Sequence, residues 1–339
     1  MREASAGPDS RGRVVKPVIA LDAMGGDRGP EINIAGALRA QRSGIPVVLV
    51  GDEKKLRQPR KGVLPVLHAD EAVEMDESAA RSVRSKPGSS IRTAIDAIKT
   101  GKACAAVSCG NTGAFMAAAT LVLGRIEGVD RPAITTVVPR TDGGNLVILD
   151  LGANTDPKPE HLAQFARLGE AFARVVLRLD RPRIGLLSNG EEPSKGNDLV
   201  RAAHALIEHL PLEFVGNVEP PQAFHGACDV LVCDGFVGNI LLKSIEATAE
   251  VVGGILRREI LAHPSSRFGA WLLQGALARV RRQTAYSSIG GALLLGVDGV
   301  VVVAHGRSDA TAVSGAIAYA HRCAQDDLVE RIRTALRPA

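Results

Sequence analysis

Aromatic side chains are scarce in this chain: seven Phe, two Tyr and one Trp among 339 residues. Beside 36 Gly and an apolar content of 45%, that scarcity predicts a core of Ala, Val, Leu and Ile with many tight turns. Such a mix suits alternating strands and helices better than a β-sandwich. Cysteines number five, and no two form a CxxC pair, which points away from both a disulfide framework and a zinc site. Neither sign of charge dominates. The 41 basic and 37 acidic residues leave a net charge of +4, which gives no reason to expect a nucleic-acid partner. No apolar run approaches the roughly 20 residues of a membrane span. The N-terminus MREASAGPDSRGRVVKP lacks the apolar stretch of a signal peptide. A cytoplasmic protein is expected, with residues 1–16 as a disordered tail and 17–339 as a single α/β domain.

Several catalytic signatures are also missing. There is no GxxxxGK[ST] loop, no GxGxxG after a strand and no GxSxG elbow, which argues against a P-loop nucleotidase, a dinucleotide-dependent enzyme and a serine hydrolase.

What the chain does contain is a regular alternation. Continuous apolar runs at 18–21, 47–50, 105–108, 134–138, 146–150, 184–187, 212–215, 230–233 and 300–303 read as strands buried on both faces of a mostly parallel sheet. Amphipathic stretches lie between them. One begins at Pro30, and another runs over 159–179, where Leu162, Phe165, Leu168, Phe172, Val176 and Leu179 recur at helical spacing. The expected architecture is a three-layer α/β/α sandwich. Residues 251–283 break the rhythm and read as a helical hairpin, two helices around a break at 263–266, with Pro264 stopping the first and Ser265 or Ser266 capping the second. Ile260, Leu261, Phe268, Leu272, Leu273 and the single Trp, Trp271, lie near that break, flanked by Arg257, Arg258, Arg267, Arg279, Arg281 and Arg282.

Ligands of open α/β sheets bind outside the carboxyl ends of the strands, and four turns occupy such positions. The first, DAMGGDRGP, offers Asp22, Gly25, Gly26 and Asp27; the second, SCGNTG, offers Ser108, Gly110, Asn111, Thr112 and Gly113. The third, NGEEPSKGN, carries Glu192, Lys195 and Asn197 before a helix, and the fourth, DGFVGN, carries Asp234, Gly238 and Asn239 with Lys243 beyond it. Helix N-termini present unsatisfied N–H groups and partial positive charge, so turns of this kind favour an anion, above all phosphate. Cys109 is either a thiol activated at a helix start or a small buried residue ending a strand. His161, His225 and His305 are candidate acid–base groups, or structural ones.

The stretches DAMGGDRGPE, VSCGNTGAFMAAATLVLGRIEGVDRPAI, LDLGANTDPKPEHLAQFA, GLLSNGEEPSKGN, VCDGFVGNILLKSIE and YSSIGGALLLGVDGVVVVAHGRSDA closely resemble the acyl-ACP:phosphate acyltransferases of bacterial phospholipid synthesis, in the same order and over residues 17 to about 325. The resemblance implies an isocitrate/isopropylmalate dehydrogenase-like fold. It also implies a reaction in which acyl carrier protein gives up its acyl group to inorganic phosphate without a metal or organic cofactor. Lys195 and Asn239 are the expected catalytic residues, and His305 joins the substrate site. The resemblance further implies a homodimer whose hairpin touches an anionic membrane surface, near the membrane glycerol-3-phosphate acyltransferase. Cys109 stands where the family typically has a small alanine, Ala79 where it has proline, Pro157 where it often has cysteine, and Asp309 where it often has asparagine. Two other readings stay open, a phosphate acetyltransferase acting on a short acyl-CoA and a non-catalytic membrane scaffold.

Overall fold

A computed structural model describes residues 17–56, 58, 63–284 and 291–337; the expected tail at 1–16 lies outside the described residues, as do the side chains of Arg281 and Arg282. Eleven strands form one sheet: β1 (Ile19–Asp22), β2 (Val47–Gly51), β3 (Val66–His68), β4 (Ala105–Ser108), β5 (Ala133–Pro139), β6 (Asn145–Leu149), β7 (Arg183–Leu187), β8 (Glu213–Val218), β9 (Val230–Val232), β10 (Ala292–Leu295) and β11 (Val300–Val303). Their order is β3-β2-β1-β4-β11-β10-β5-β6-β9-β7-β8. The block β3-β2-β1-β4-β11 is parallel throughout, as is the block β6-β9-β7-β8. Between them β10 and β5 pair antiparallel with each other and with their outer neighbours. Three reversals in succession leave the two parallel blocks running in opposite directions, so their carboxyl ends lie at opposite edges of the sheet.

The helices before the site are α1 (Gly29–Arg42), α2 (Ala79–Ser85), α3 (Ser90–Lys99) and α4 (Thr112–Val122); α5 (Pro159–Phe172), α6 (Asp198–Glu208) and α7 (Pro220–Phe224) follow. The chain then forms α8 (Gly235–Ala262), α9 (Pro264–Leu272), α10 (Gln274–Thr284), α11 (Ala310–Gln325) and α12 (Leu328–Leu336). Alternation along single strands feeds both helical layers. Ile19 and Leu21 pack with Phe165, Val313 and Ile317 on one face, while Ala20 packs with Ile91, Ile95 and Phe115 on the other. All are fully or nearly fully buried, which is why the strands read as unbroken apolar runs. The three-layer sandwich expected from the sequence is the fold observed.

Every expected strand is present, with bounds shifted by a residue or a few, and β3 and β10 are additional. β3 is a three-residue strand at the sheet edge whose side chains are half-buried or exposed, too short and too mixed to show a period. β10 is ALLL, a string of helix-favouring residues that becomes a strand because both flanks are occupied by β11 and β5. The helix expected over 159–179 is α-helical only to Phe172 and ends in a π-helical turn at Ala173–Leu177.

The hairpin also differs from expectation. α8 begins at Gly235 and runs 28 residues, about 42 Å at 1.5 Å per residue, so it is a continuation of the fourth turn rather than a separate insertion. The break falls at His263, which caps α9 with Pro264 in its first turn and makes no side-chain capping bond; Ser265 and Ser266 lie inside the helix. A further helix, α10, follows Leu273.

Candidate functional site

The four turns do not converge on a single cradle. Those after β1 and β4 lie at the carboxyl edge of one block and those after β7 and β9 at the opposite edge. A groove of about 980 Å³ links the second turn to the fourth. Helix α4 starts at one end of it, and α8 lines the other with Asn239, Leu242 and Lys243. Apolar side chains of β5, β10 and β11 form the floor, among them Ile134, Ala292 and Val303.

At the first end a buried carboxylate organises the turns. Asp22 is fully buried at the end of β1, and burial pushes its carboxyl above the usual range despite the hydrogen bonds it accepts. Ser108 Oγ donates to Asp22 Oδ2 at 2.7 Å, Met24 N donates to Oδ1 at 3.2 Å, and Gly110 N donates to Ser108 Oγ at 2.9 Å. A β-carbon on Gly25 would stand 2.7 Å from the Gly110 backbone. The first turn is therefore braced behind the second, and Gly25 and Gly26 do not line the groove. Asn33 holds that brace by donating to the carbonyls of Ala23 and Gly25 at 3.0 and 2.7 Å. Asn111 caps α4 by accepting from Ala114 N at 2.9 Å, and its amide donates to the carbonyls of Glu74, Met75 and Glu77. Its side chain is thus committed to the protein, and what reaches the groove at this end is Gly110, Thr112, Gly113, His305 and Gly306. His305 Nδ1 accepts from Arg307 N at 3.1 Å, and Asp27 N donates to the Gly306 carbonyl at 2.9 Å, with the Asp27 carboxylate beside Gly306.

The opposite end repeats the device. Asp150, buried just after β6, accepts from the N–H groups of Ile134, Gly152, Ala153 and Asn154 at 2.9, 3.2, 3.0 and 2.6 Å and from Asn154 Nδ2 at 2.9 Å. Burial again raises its carboxyl. Asp234 caps α8, accepting from Phe236 N and Val237 N at 2.9 Å each. The first turn of α8 docks so tightly that a β-carbon on Gly235 would stand 2.7 Å from the Asn154 carbonyl oxygen. Asn239, half-buried beside Gly152, and Lys243 on the next turn line the groove, with Arg125, Asp130, Arg131 and Asn154 at its far end. Glu246 follows on α8; burial raises its carboxyl, and the nearby His305 and Lys243 pull it back.

The third turn lies apart. Lys195 and Glu192 are exposed on the loop after β7, at the same sheet edge as the fourth turn but outside the groove lining. Asn197 caps α6, accepting from Val200 N at 2.9 Å. His161 Nδ1 accepts from Lys158 N at the start of α5, and His225 Nδ1 lies 2.6 Å from the Pro221 carbonyl; neither lines the groove. Cys109 is buried and its thiol is pushed up to about 12 by desolvation, with Asp22 adding to the effect. Asp309 caps α11 through Thr311 N and Ala312 N at 2.9 and 2.8 Å. The hairpin residues Phe268, Trp271, Leu272 and Leu273 are 58–63% exposed, Leu261 is 50% exposed, and Ile260 is half-buried. Phe268 and Trp271 stack with ring centroids 5.9 Å apart.

Asp150, Asn154, Arg125, Arg131 and Glu246 were not singled out from sequence. For Asp150 a signal existed, since Leu149-Asp150 closes the apolar run of β6 just as Leu21-Asp22 closes that of β1. Among the described residues no helix is long and apolar enough to cross a membrane, and no group of three or more His, Cys, Asp and Glu is arranged to hold a metal.

Comparison with known proteins gives one consistent result. The model of the fatty acid synthesis protein family, FA_synthesis, matches residues 17–331. A phosphate acyltransferase of Geotalea uraniireducens (strain Rf4) is 48% identical over 326 residues, 94% of each chain, and one of Trichlorobacter lovleyi is 46% identical over 321 residues, 93% of each. The solved phosphotransacetylase from Streptococcus pyogenes shares the fold, with a TM-score of 0.61 at 18% identity over 91% of this chain and 94% of that one.

Proposed function

Because the chain belongs to the phosphate acyltransferase family, we propose that it moves a fatty acyl group from acyl carrier protein to inorganic phosphate, making acyl phosphate for phosphatidic acid and phospholipid synthesis. The observation that supports this reading most is the groove itself, which has the anion-favouring start of α4 at one end, Asn239 and Lys243 of α8 toward the other, and an apolar floor between. A short, wholly polar ligand has no use for that floor.

In the reaction a phosphate oxygen attacks the thioester carbonyl carbon, and the tetrahedral oxyanion collapses with loss of the carrier's thiolate, which takes a proton from solvent. Phosphate is already ionised at neutral pH, so the protein's task is to position it, screen its charge and stabilise the oxyanion. Asn239 donates a hydrogen bond to phosphate or oxyanion, and Lys243 supplies positive charge one turn along α8. The peptide N–H groups at the start of α4, held by the Asp22–Ser108 brace, favour an anion at the other end of the groove. Lys195 adds positive potential from the β7 turn. The same reading makes the protein a cytoplasmic homodimer, without metal or organic cofactor, that meets an anionic membrane through the exposed hairpin. There a membrane glycerol-3-phosphate acyltransferase takes up the product.

The test is acyl phosphate formation from palmitoyl-ACP with and without phosphate, run beside acetyl-CoA. Phosphate-dependent product from palmitoyl-ACP is expected. Preference for acetyl-CoA would make the protein a phosphotransacetylase instead, and no product from either would reduce it to a scaffold.

A further inference from the structure

One wall of the groove is a single face of α4. Ala114, Phe115, Ala118, Ala119 and Val122 turn into the core, while Gly113, Met116, Ala117, Thr120 and Leu121 line the groove. These alternate at three- and four-residue spacing, as the two sides of one helix must. From Gly113 to Leu121 the wall rises about 12 Å. Polar groups bound it at both ends, His305 at one and Arg125 with Arg131 at the other, and Leu151 and Leu242 add apolar surface between them. Midway stands Ala117, half-buried, whose methyl group leaves open space that a larger side chain would fill.

We propose that Ala117 is a specificity-determining residue whose small side chain lets a long acyl chain pass along the α4 wall. The inference rests on the acyltransferase reading above and adds where the acyl chain lies. A carbonyl held at either polar end must send a long chain past Ala117, whereas a short acyl group ends before reaching it. Each methylene laid on the wall leaves water, which is worth about fourfold in transition-state affinity. A bulkier residue at 117 therefore penalises long donors in steps and spares short ones.

The experiment compares kcat/KM of the full-length parent, Ala117→Leu and Ala117→Ser across a series from butyryl-ACP to stearoyl-ACP. Leucine is a strong helix former, and Ala117 is half-buried at the edge of the core with the groove before it, so the helix is retained, as an unchanged circular dichroism melt would verify. For Ala117→Leu, palmitoyl transfer should fall more than about tenfold, the effect of two or more methylenes denied burial, while butyryl transfer stays near the parent value. Ala117→Ser should keep the parent profile. Equal losses at every length, or an unchanged profile in Ala117→Leu, would overturn the assignment. A parent protein that makes acyl phosphate from no donor would overturn the acyltransferase reading, and this inference with it.

Discussion

Gly238 lies so close to Asp150 that a β-carbon built on it would stand 1.9 Å from the Asp150 carbonyl oxygen, and 2.8 Å from Cys233 Sγ. The first turn of α8 is thereby set directly on the turn that follows β6, with no side chain between. This contact fixes where Asn239, the next residue, projects.

Gly238→Ala tests that relationship. Backbone cannot retreat as a flexible side chain can, so α8 must shift, at a cost of about 1–3 kcal/mol for overpacking. The expected result is a lowered melting temperature together with lost acyl transfer. A variant that keeps the parent melt and turnover would show that the contact has slack.

Asn239 and Lys195 should separate cleanly in kinetics. In the proposed reaction Asn239→Ala removes a donor to the reacting atoms, which typically costs about a hundred- to a thousandfold in turnover, while the folded state is kept. Lys195 is exposed and outside the groove lining, so in the proposed reaction it can act only through water. A unit charge pair about 4 Å apart in water is worth about 1 kcal/mol and less at longer range, so Lys195→Ala should raise the KM for phosphate by less than about fivefold with kcat little changed. An unchanged KM removes Lys195 from the site; a collapse of kcat would make it a contact residue.

The thiol of Cys109 points the other way. Pushed up to about 12 by burial and by the neighbouring Asp22, it stays protonated at every pH where the enzyme would be assayed, so it is no nucleophile. Cys109→Ala should retain acyl transfer with an unaltered pH profile, and iodoacetamide should leave the native parent protein active. Loss of activity in the alanine variant without loss of fold would contradict this.

The strands were legible because those of a sheet covered on both faces carry nearly unbroken apolar runs, and residues such as Ile19, Ala20 and Leu21 show that pattern plainly. β10 was not, because ALLL has no strand character apart from its neighbours β11 and β5. The turns were legible as turns, but not their geometry. Nothing local tells Gly110 and Asn239 that their parent strands run in opposite directions, since that depends on three antiparallel pairings far away in sequence. Nor does a Ser, Asn or Asp at a strand end reveal its use. Ser108, Asn111, Asn197 and Asp234 read as ligand-binding groups, yet each spends its side chain on the protein's own backbone or on Asp22.

The hairpin gives the last prediction. Phe268, Trp271, Leu272 and Leu273 keep more than half their surface in solvent, on α9 and its C-cap, a short helix with no buried residue among those described. Each such side chain gains about 1.5–3 kcal/mol when fully buried, and each nearby arginine about 1 kcal/mol at an anionic membrane surface. Two occupants can supply that burial, a lipid surface or the hairpin of a second copy. Trp271→Ser with Leu272→Ser should abolish co-sedimentation with phosphatidylglycerol vesicles, while sedimentation velocity reports the oligomeric state in the same sample. Lost vesicle binding with the dimer intact assigns these residues to the membrane. A protein that turns monomeric but still binds vesicles assigns them to the subunit interface, because the arginines alone would then be holding it to lipid.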